Sequence, residues 1–211
     1  DANRRTIKTE DYPLNSPMLL YLPARRLPKL ARAFLAYTRG PSAQIVIRRA
    51  SFIDQVAEEV PMRLQGDRLA NAVAAAGPEV QLDTLQDMLE TLRPMQRLTL
   101  SFRFETGSSR LDAQSRSNVA RFTRALEAGQ FDSRQILFAG FSDGDGAASG
   151  NLKISTARAR AVRDAVLDAA ETGAFTKDDI EIRGFGEAMP MACDDTDWGR
   201  QVNRRVEVWV R

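Results

Sequence analysis

Residues Gly140 to Val162 read GFSDGDGAASGNLKISTARARAV, and the rest of the chain can be placed around them. The stretch joins the end of a strand, an acidic glycine-rich loop and the first turns of a helix. Upstream, Gln135-Ile136-Leu137-Phe138-Ala139 is a short apolar run with β-branched and aromatic content, which suits a buried strand. Gly140, Gly144, Gly146 and Gly150 let the backbone turn tightly around Asp143 and Asp145 and leave a carboxylate exposed. From Ile154, at about 100° per residue, Ala157, Ala161, Val162 and Ala165 fall on one stripe, with Arg160 and Arg163 opposite. Arg158 falls near the middle of that stripe, where an unpaired guanidinium is costly to bury.

Arg158 therefore needs a partner, and Asp143 at the carboxyl end of the strand is the nearest candidate. Together they would make a small polar notch. Its carboxylate could hold an ammonium, and its guanidinium could fork a carboxylate beside the N–H groups of a helix start. Such a notch fits a zwitterion. An internal Asp143–Arg158 ion pair that only ties loop to helix satisfies the same spacing, and both readings stand at this point.

The order Gly140-Phe141-Ser142-Asp143, Gly146, Asn151, Ile154-Ser155, Arg158-Ala159, then Gly199-Arg200 and Asn203-Arg204-Arg205-Val206-Glu207, resembles the OmpA-like peptidoglycan-binding domain. Its usual wording is GHTD, a glycine, an asparagine, LS, RA, and later GR and NRRVE. Phe102 to Leu111, FRFETGSSRL, matches the family's opening strand and loop, and Gly184-Phe185-Gly186-Glu187 its GxGE turn. The resemblance covers roughly residues 96 to 211. It implies an α+β fold, β-α-β-α-β-β, with an open sheet and helices over one face. It also implies a noncatalytic module that binds diaminopimelate of the peptidoglycan stem, Asp143 holding the ammonium and Arg158 the carboxylate. Ser142 and Asn151 would brace the loop or touch ligand. Asn203 and Arg204 would lie near the notch, capping a turn or contacting ligand. The implied setting is the periplasm of a Gram-negative envelope, at the cell wall or outer membrane. Phe141 stands where the family has His, Ser142 where it has Thr, and Ile154 where it has Leu. Serine keeps a hydroxyl, whereas losing the His removes a brace from the loop.

Composition narrows the chemistry. Of 211 residues, 43% are apolar and 27% charged, as in a folded globular protein. Thirty basic against 28 acidic residues leave a net charge of +2, too balanced to argue for nucleic acid. No apolar run approaches the roughly 20 residues that span a bilayer. The chain starts at Asp1 without an initiator Met, as a processed protein or an excised piece would. It has no His, which removes Ser-His-Asp triads, a base for Cys193 and most zinc sites. Cys193 is the single cysteine and can form no internal disulfide; it is expected as a small buried hydrophobe or as the partner of a cysteine outside this sequence. No cofactor, metal or enzymatic activity is expected. A calcium site at the loop would need several oxygen ligands around one centre, which the sequence does not show.

Three segments are expected: 1–55, a helical connector over 56–95, and the domain over 96–211. Residues 1–15 are polar and interrupted by Pro13. Pro17 to Leu22 reads as a strand, and Leu27, Leu30, Ala31, Phe34 and Leu35 as a helix stopped by Arg39-Gly40-Pro41. Tyr12-Pro13-Leu14, Leu20-Tyr21, Phe34-Leu35-Ala36-Tyr37 and Ala43-Gln44-Ile45-Val46 resemble the end of transporter-linked periplasmic phosphate-binding proteins. That resemblance implies a helix at Ile45 to Arg49, although composition alone suggests a strand. It also raises an alternative function, the phosphate or anion solute-binding component of an ABC transporter, with the anion loops mostly outside this sequence. Arg25, Arg26, Arg48 and Arg49 then read as solvated charges. In the connector, Leu69, Ala72, Val73 and Ala76, then Leu85, Met88, Leu89 and Leu92, have helical spacing around Gly77-Pro78, with Asp83 or Thr84 capping the second helix. Their stripes are expected to pack on one of the domains. A scaffold that binds other envelope proteins through these helices is a further alternative. Leu98, Leu100, Phe102 and Phe104 alternate with Arg97, Thr99, Ser101 and Arg103 as an amphipathic strand. Val119, Phe122 and Leu126 place a helix, Ile180 and Ile182 a strand, and Val206, Val208 and Val210 the last strand.

Overall fold

The computed structural model describes residues 2–9, 11–12, 14–105, 108 and 110–211. Pro13 of the proline-interrupted start, and Thr106, Gly107 and Ser109 of FRFETGSSRL, lie outside the described residues. The chain divides into two units, Asp1–Glu58 and Glu59–Arg211.

The first unit holds α1 (Arg4–Lys8), α2 (Lys29–Arg39) and α3 (Pro41–Arg49). Pro41 sits in the first turn of α3, where its fixed φ suits the helix and its missing N–H has no partner to lose. Ile45 to Arg49 is accordingly helical. The strand expected at Pro17 to Leu22 does not form: residues 15–23 have no regular structure, and Tyr21 is 90% exposed. A strand needs a neighbour for its N–H and C=O groups, and no strand lies beside it among the described residues of this unit. Its best-defined feature is ionic. Lys8 Nζ lies 2.9 Å from Asp54 Oδ1 and 2.6 Å from Glu58 Oε1, and Arg48 Nε lies 2.9 Å from Asp54 Oδ2. Arg48 thus has a carboxylate partner rather than water alone.

The second unit is α+β. It contains β1 (Glu59–Val60), α4 (Gly66–Ala74), α5 (Leu82–Leu92), β2 (Gln96–Arg103), α6 (Ala113–Glu127) and β3 (Ile136–Gly140). Then follow α7 (Ala148–Asp168), β4 (Ile180–Gly184), α8 (Asp197–Asn203) and β5 (Arg205–Val210). The open sheet runs β1-β2-β5-β3-β4. The last strand pairs antiparallel with both β2 and β3, while β3 and β4 are parallel and joined by the α7 crossover. α8, between the last two strands, was not anticipated.

Helices α6 and α7 cover one face, as expected. Phe102, Val208 and Phe138 of the sheet meet Phe122 of α6 and Val162 of α7 in a buried cluster, with the Phe122 and Phe138 rings 5.7 Å apart. The opposite face is covered too. Leu85, Met88 and Leu92 of α5, with Ala72 of α4, pack on Leu137, Ala139 and Trp209. The stretch expected as a connector therefore builds the second layer. This is why β2 is buried along both faces rather than half-solvated, Arg97, Thr99, Ser101 and Arg103 included. Val73 falls off the buried stripe and is exposed, and α5 is capped at Gln81 without a side-chain bond, not by Asp83 or Thr84. Cys193 is exposed rather than buried. No helix among the described residues is long and apolar enough to cross a membrane.

Candidate functional site

The carboxyl ends of β3 and β4 approach the start of α7 at backbone distance. A Cβ on Gly140 would lie 2.0 Å from Ser155 O, and one on Gly184 2.2 Å from Thr156 Oγ1. Only glycine permits this contact, and it brings small polar residues of the helix inward. The buried stripe of α7 is Asn151, Ser155, Ala159, Val162 and Val166. It is rotated from the expected one: Ile154 is 47% exposed and Ala157 is exposed. The helix also starts earlier than expected, at Ala148, so Gly150 and Asn151 are helical. Arg158 flanks the buried stripe instead of centring it, and its head can reach the loop.

Three backbone N–H donors fix that loop. Phe141 N–H donates to Arg205 O at 2.8 Å, Ser142 N–H to Gly186 O at 2.8 Å, and Gly144 N–H to Asp194 Oδ2 at 2.7 Å. Gly146 has φ +94°, the left-handed region that favours glycine. Phe141 is fully buried between the Phe185 ring and the Arg205 guanidinium, whose carbon lies 4.3 Å from the ring centroid. Packing thus supplies bracing where a His would hydrogen-bond.

The structure brings Asp143 and Arg158 to the same notch without pairing them. Asp143 Oδ2 accepts from Arg204 Nη1 at 2.6 Å. Among the described residues Arg158 has no carboxylate partner; it donates to Phe141 O at 3.4 Å and lies over the Phe104 ring at 5.6 Å. Burial lowers the Arg158 pKa, Asp143 opposes this and Arg204 adds to it. Ser142 Oγ is buried with no hydrogen-bond partner among the described residues. Asn151 is buried with its amide against Glu187. Burial raises the Glu187 pKa, Asn151 lowers it, and Glu79, Asp194 and Asp143 raise it further. Among the described residues neither Asn151 Nδ2 nor Glu187 Oε1 completes a hydrogen bond of ordinary geometry. Asn203 turns away from the notch to staple the preceding loop, accepting from Met191 and Ala192 N–H and donating to Ala192 O and Asp194 Oδ1.

Sequence reasoning missed Asp194, which holds both Gly144 and Asn203, and gave Glu187 only a turn. It also missed a buried charge cluster behind the notch. The fully buried Glu207 carboxylate meets Arg205 Nε at 2.8 Å, Arg97 Nε at 3.3 Å, Arg68 of α4 and the Trp209 indole N–H at 3.2 Å. The signal was present: Arg205, Glu207 and Trp209 are two residues apart on a strand and must share a face. Nothing in the spacing identified Arg68 as their partner.

Residues 103–204 match the model of the OmpA family. The outer-membrane lipoprotein YfiB of Pseudomonas aeruginosa is 34% identical over 107 residues, 51% of this chain and 60% of that protein. Outer membrane porin F of the same organism is 30% identical over 116 residues, 54% of this chain and 31% of that protein. The chain thus spans only part of the length of both relatives. Among solved structures, the peptidoglycan-associated lipoprotein of Burkholderia pseudomallei is 23% identical, with a TM-score of 0.46 over 53% of this chain and 90% of that one.

Proposed function

We propose that the second unit is a noncatalytic module that binds peptidoglycan through diaminopimelate of the stem peptide and anchors its parent protein to the cell wall. Arg158 carries this reading. It is a half-buried guanidinium with no carboxylate of its own among the described residues, beside Asp143 and the buried Ser142 hydroxyl, which has no hydrogen-bond partner among them. A group in that position is completed by an external carboxylate, and the adjacent Asp143 suits the ammonium of the same ligand. The family match over residues 103–204 supports the class of ligand, and the curated relatives support a periplasmic setting at the outer membrane or wall of a Gram-negative envelope. The solute-binding alternative finds no support in these relatives. The scaffold alternative loses much of its surface, because α5 spends its apolar stripe on the sheet.

Titration calorimetry of the protein with a stem peptide carrying diaminopimelate, beside the same peptide carrying lysine, tests the proposal. Lysine lacks the second carboxylate. Selective binding of the diaminopimelate form is expected. Removing a partly buried charge contact costs on the order of 2–5 kcal/mol, so Arg158→Ala or Asp143→Ala should nearly abolish it. Arg160→Ala, on the exposed face, should leave it intact. Equal binding by all three variants would refute the site.

A further inference from the structure

We infer that Arg204 is the specificity-determining residue of the notch: it is a resident cation on Asp143 that only a ligand bearing both an ammonium and a carboxylate can exchange. The inference rests on the reading of the notch as a diaminopimelate site.

Asp143, the expected ammonium ligand, is already taken. Its ion pair with Arg204 is 2.6 Å long, and the two side chains are only 13% and 19% exposed. Arg158, within electrostatic reach of both, is paired with no carboxylate among the described residues. Arg200 and Glu187 also interact with Asp143, and Arg200 is engaged with Asp197 and lies 3.8 Å from Asp145 Oδ2. The resting notch therefore sets the Asp143 carboxylate between two guanidiniums, while the neighbouring carboxylates are committed elsewhere, Asp194 to Gly144 and Asn203 and Glu187 to Asn151. Arg204 follows α8 as its C-cap, its own N–H bonded to Arg200 O, so its backbone is anchored while its long side chain can swing.

The three kinds of ligand fare differently. An ammonium alone must evict Arg204 from Asp143 and then leaves two guanidiniums with no anion. A carboxylate alone satisfies Arg158 but finds Asp143 closed. A zwitterion lets Asp143 trade Arg204 for the ammonium while Arg204 joins Arg158 on the carboxylate, so every charge keeps a partner. The preference for diaminopimelate over lysine then comes from the cost of eviction as well as from the contact to Arg158.

The test is calorimetry of wild type, Arg204→Gln and Arg204→Lys with the diaminopimelate and lysine stem peptides at one ionic strength. Arg204→Gln frees Asp143, so the lysine peptide should bind more tightly and the diaminopimelate peptide no better than before. The ratio of the two affinities should fall by about tenfold or more, the equivalent of one charge contact. Arg204→Lys keeps a resident cation without the fork; it should weaken the diaminopimelate peptide and leave the lysine peptide unchanged. That variant carries the test if the glutamine variant does not fold. An unchanged ratio, or equal weakening of both peptides, in a folded variant would overturn the exchange while leaving the notch reading intact. A wild type that binds neither peptide, or both alike, would overturn the notch reading and the exchange with it.

Discussion

Replacing Glu207 with glutamine removes the carboxylate that meets Arg68, Arg97 and Arg205 at the centre of the second unit. The side chain stays nearly isosteric, so packing is retained and the change is electrostatic. Burial pushes the Glu207 pKa up, but the three guanidiniums and the Arg205 hydrogen bond outweigh it and hold the carboxyl well below its usual range. Burial also pushes Arg205 down to about 10, so the pair exists because each partner offsets the desolvation of the other. Breaking a buried pair by removing one member costs about 3–5 kcal/mol, a large share of the roughly 5–15 kcal/mol by which domains are stable. At about 2–4 °C per kcal/mol for a domain of this size, Glu207→Gln should lower Tm by roughly 6–20 °C. Trp209 is the natural reporter, since its indole N–H donates to Glu207 and its ring is fully buried. The half-exposed Trp198 should be replaced by Phe in both proteins so that fluorescence reads Trp209 alone. The same cluster predicts acid lability. A carboxyl whose folded pKa is depressed contributes stability above its ordinary value of about 4, and that contribution is lost as pH falls below it. The stability difference between wild type and Glu207→Gln should therefore shrink on acidification. A loss under about 1 kcal/mol near neutral pH, the size of an exposed ion pair, would mean that water screens the cluster and would refute this reasoning.

Two further tests address the frame of the site and the first unit. Gly140→Ala places a methyl 2.0 Å from Ser155 O, a backbone atom that cannot rotate away, and should cost about 1–3 kcal/mol by urea unfolding. Gly150→Ala meets nothing within 4 Å on a helical position and should instead stabilise by about 0.5–1 kcal/mol. In the first unit, burial raises the Asp54 pKa, but bonds from Arg48, Lys8 and Val56 N–H bring it well below the usual range. Asp54→Asn should loosen α1, read as lower order parameters for its amides in ¹⁵N relaxation, with α4 to α8 unchanged; acidification should weaken the same contact progressively, and only well below about pH 4, because the folded pKa is depressed.

The parts of the fold that were legible in sequence are those fixed by local pattern. The strands at Ile136 and Ile180, the helices holding Val119, Leu69 and Leu85, and the loop between β3 and α7 all follow from apolar periodicity and glycine placement. The strand expected at Pro17 to Leu22 failed because strand propensity has no outlet without a hydrogen-bonding neighbour. The stripe of α7 was misplaced because apolar count was weighed above fit. Where Gly140 and Gly184 admit the helix to backbone distance, Asn151 and Ser155 pack inward and Ile154 is turned out.

For the candidate site, the sequence by itself determined the residue types: a carboxylate on a glycine-rich loop, an arginine on the following helix, Asn203 and Arg204 just before the last strand, and Arg205 and Glu207 on it. Those follow from spacing along one chain. Only tertiary structure decided the pairing. Arg204 is 61 positions from Asp143 and Arg68 is 139 from Glu207, yet both form ion pairs, while Arg158 pairs with no carboxylate among the described residues. Charge is long-ranged and carries no periodicity, so which cation neutralises which carboxylate depends on how the helices and strands pack, and that is settled when the two sheet faces are covered.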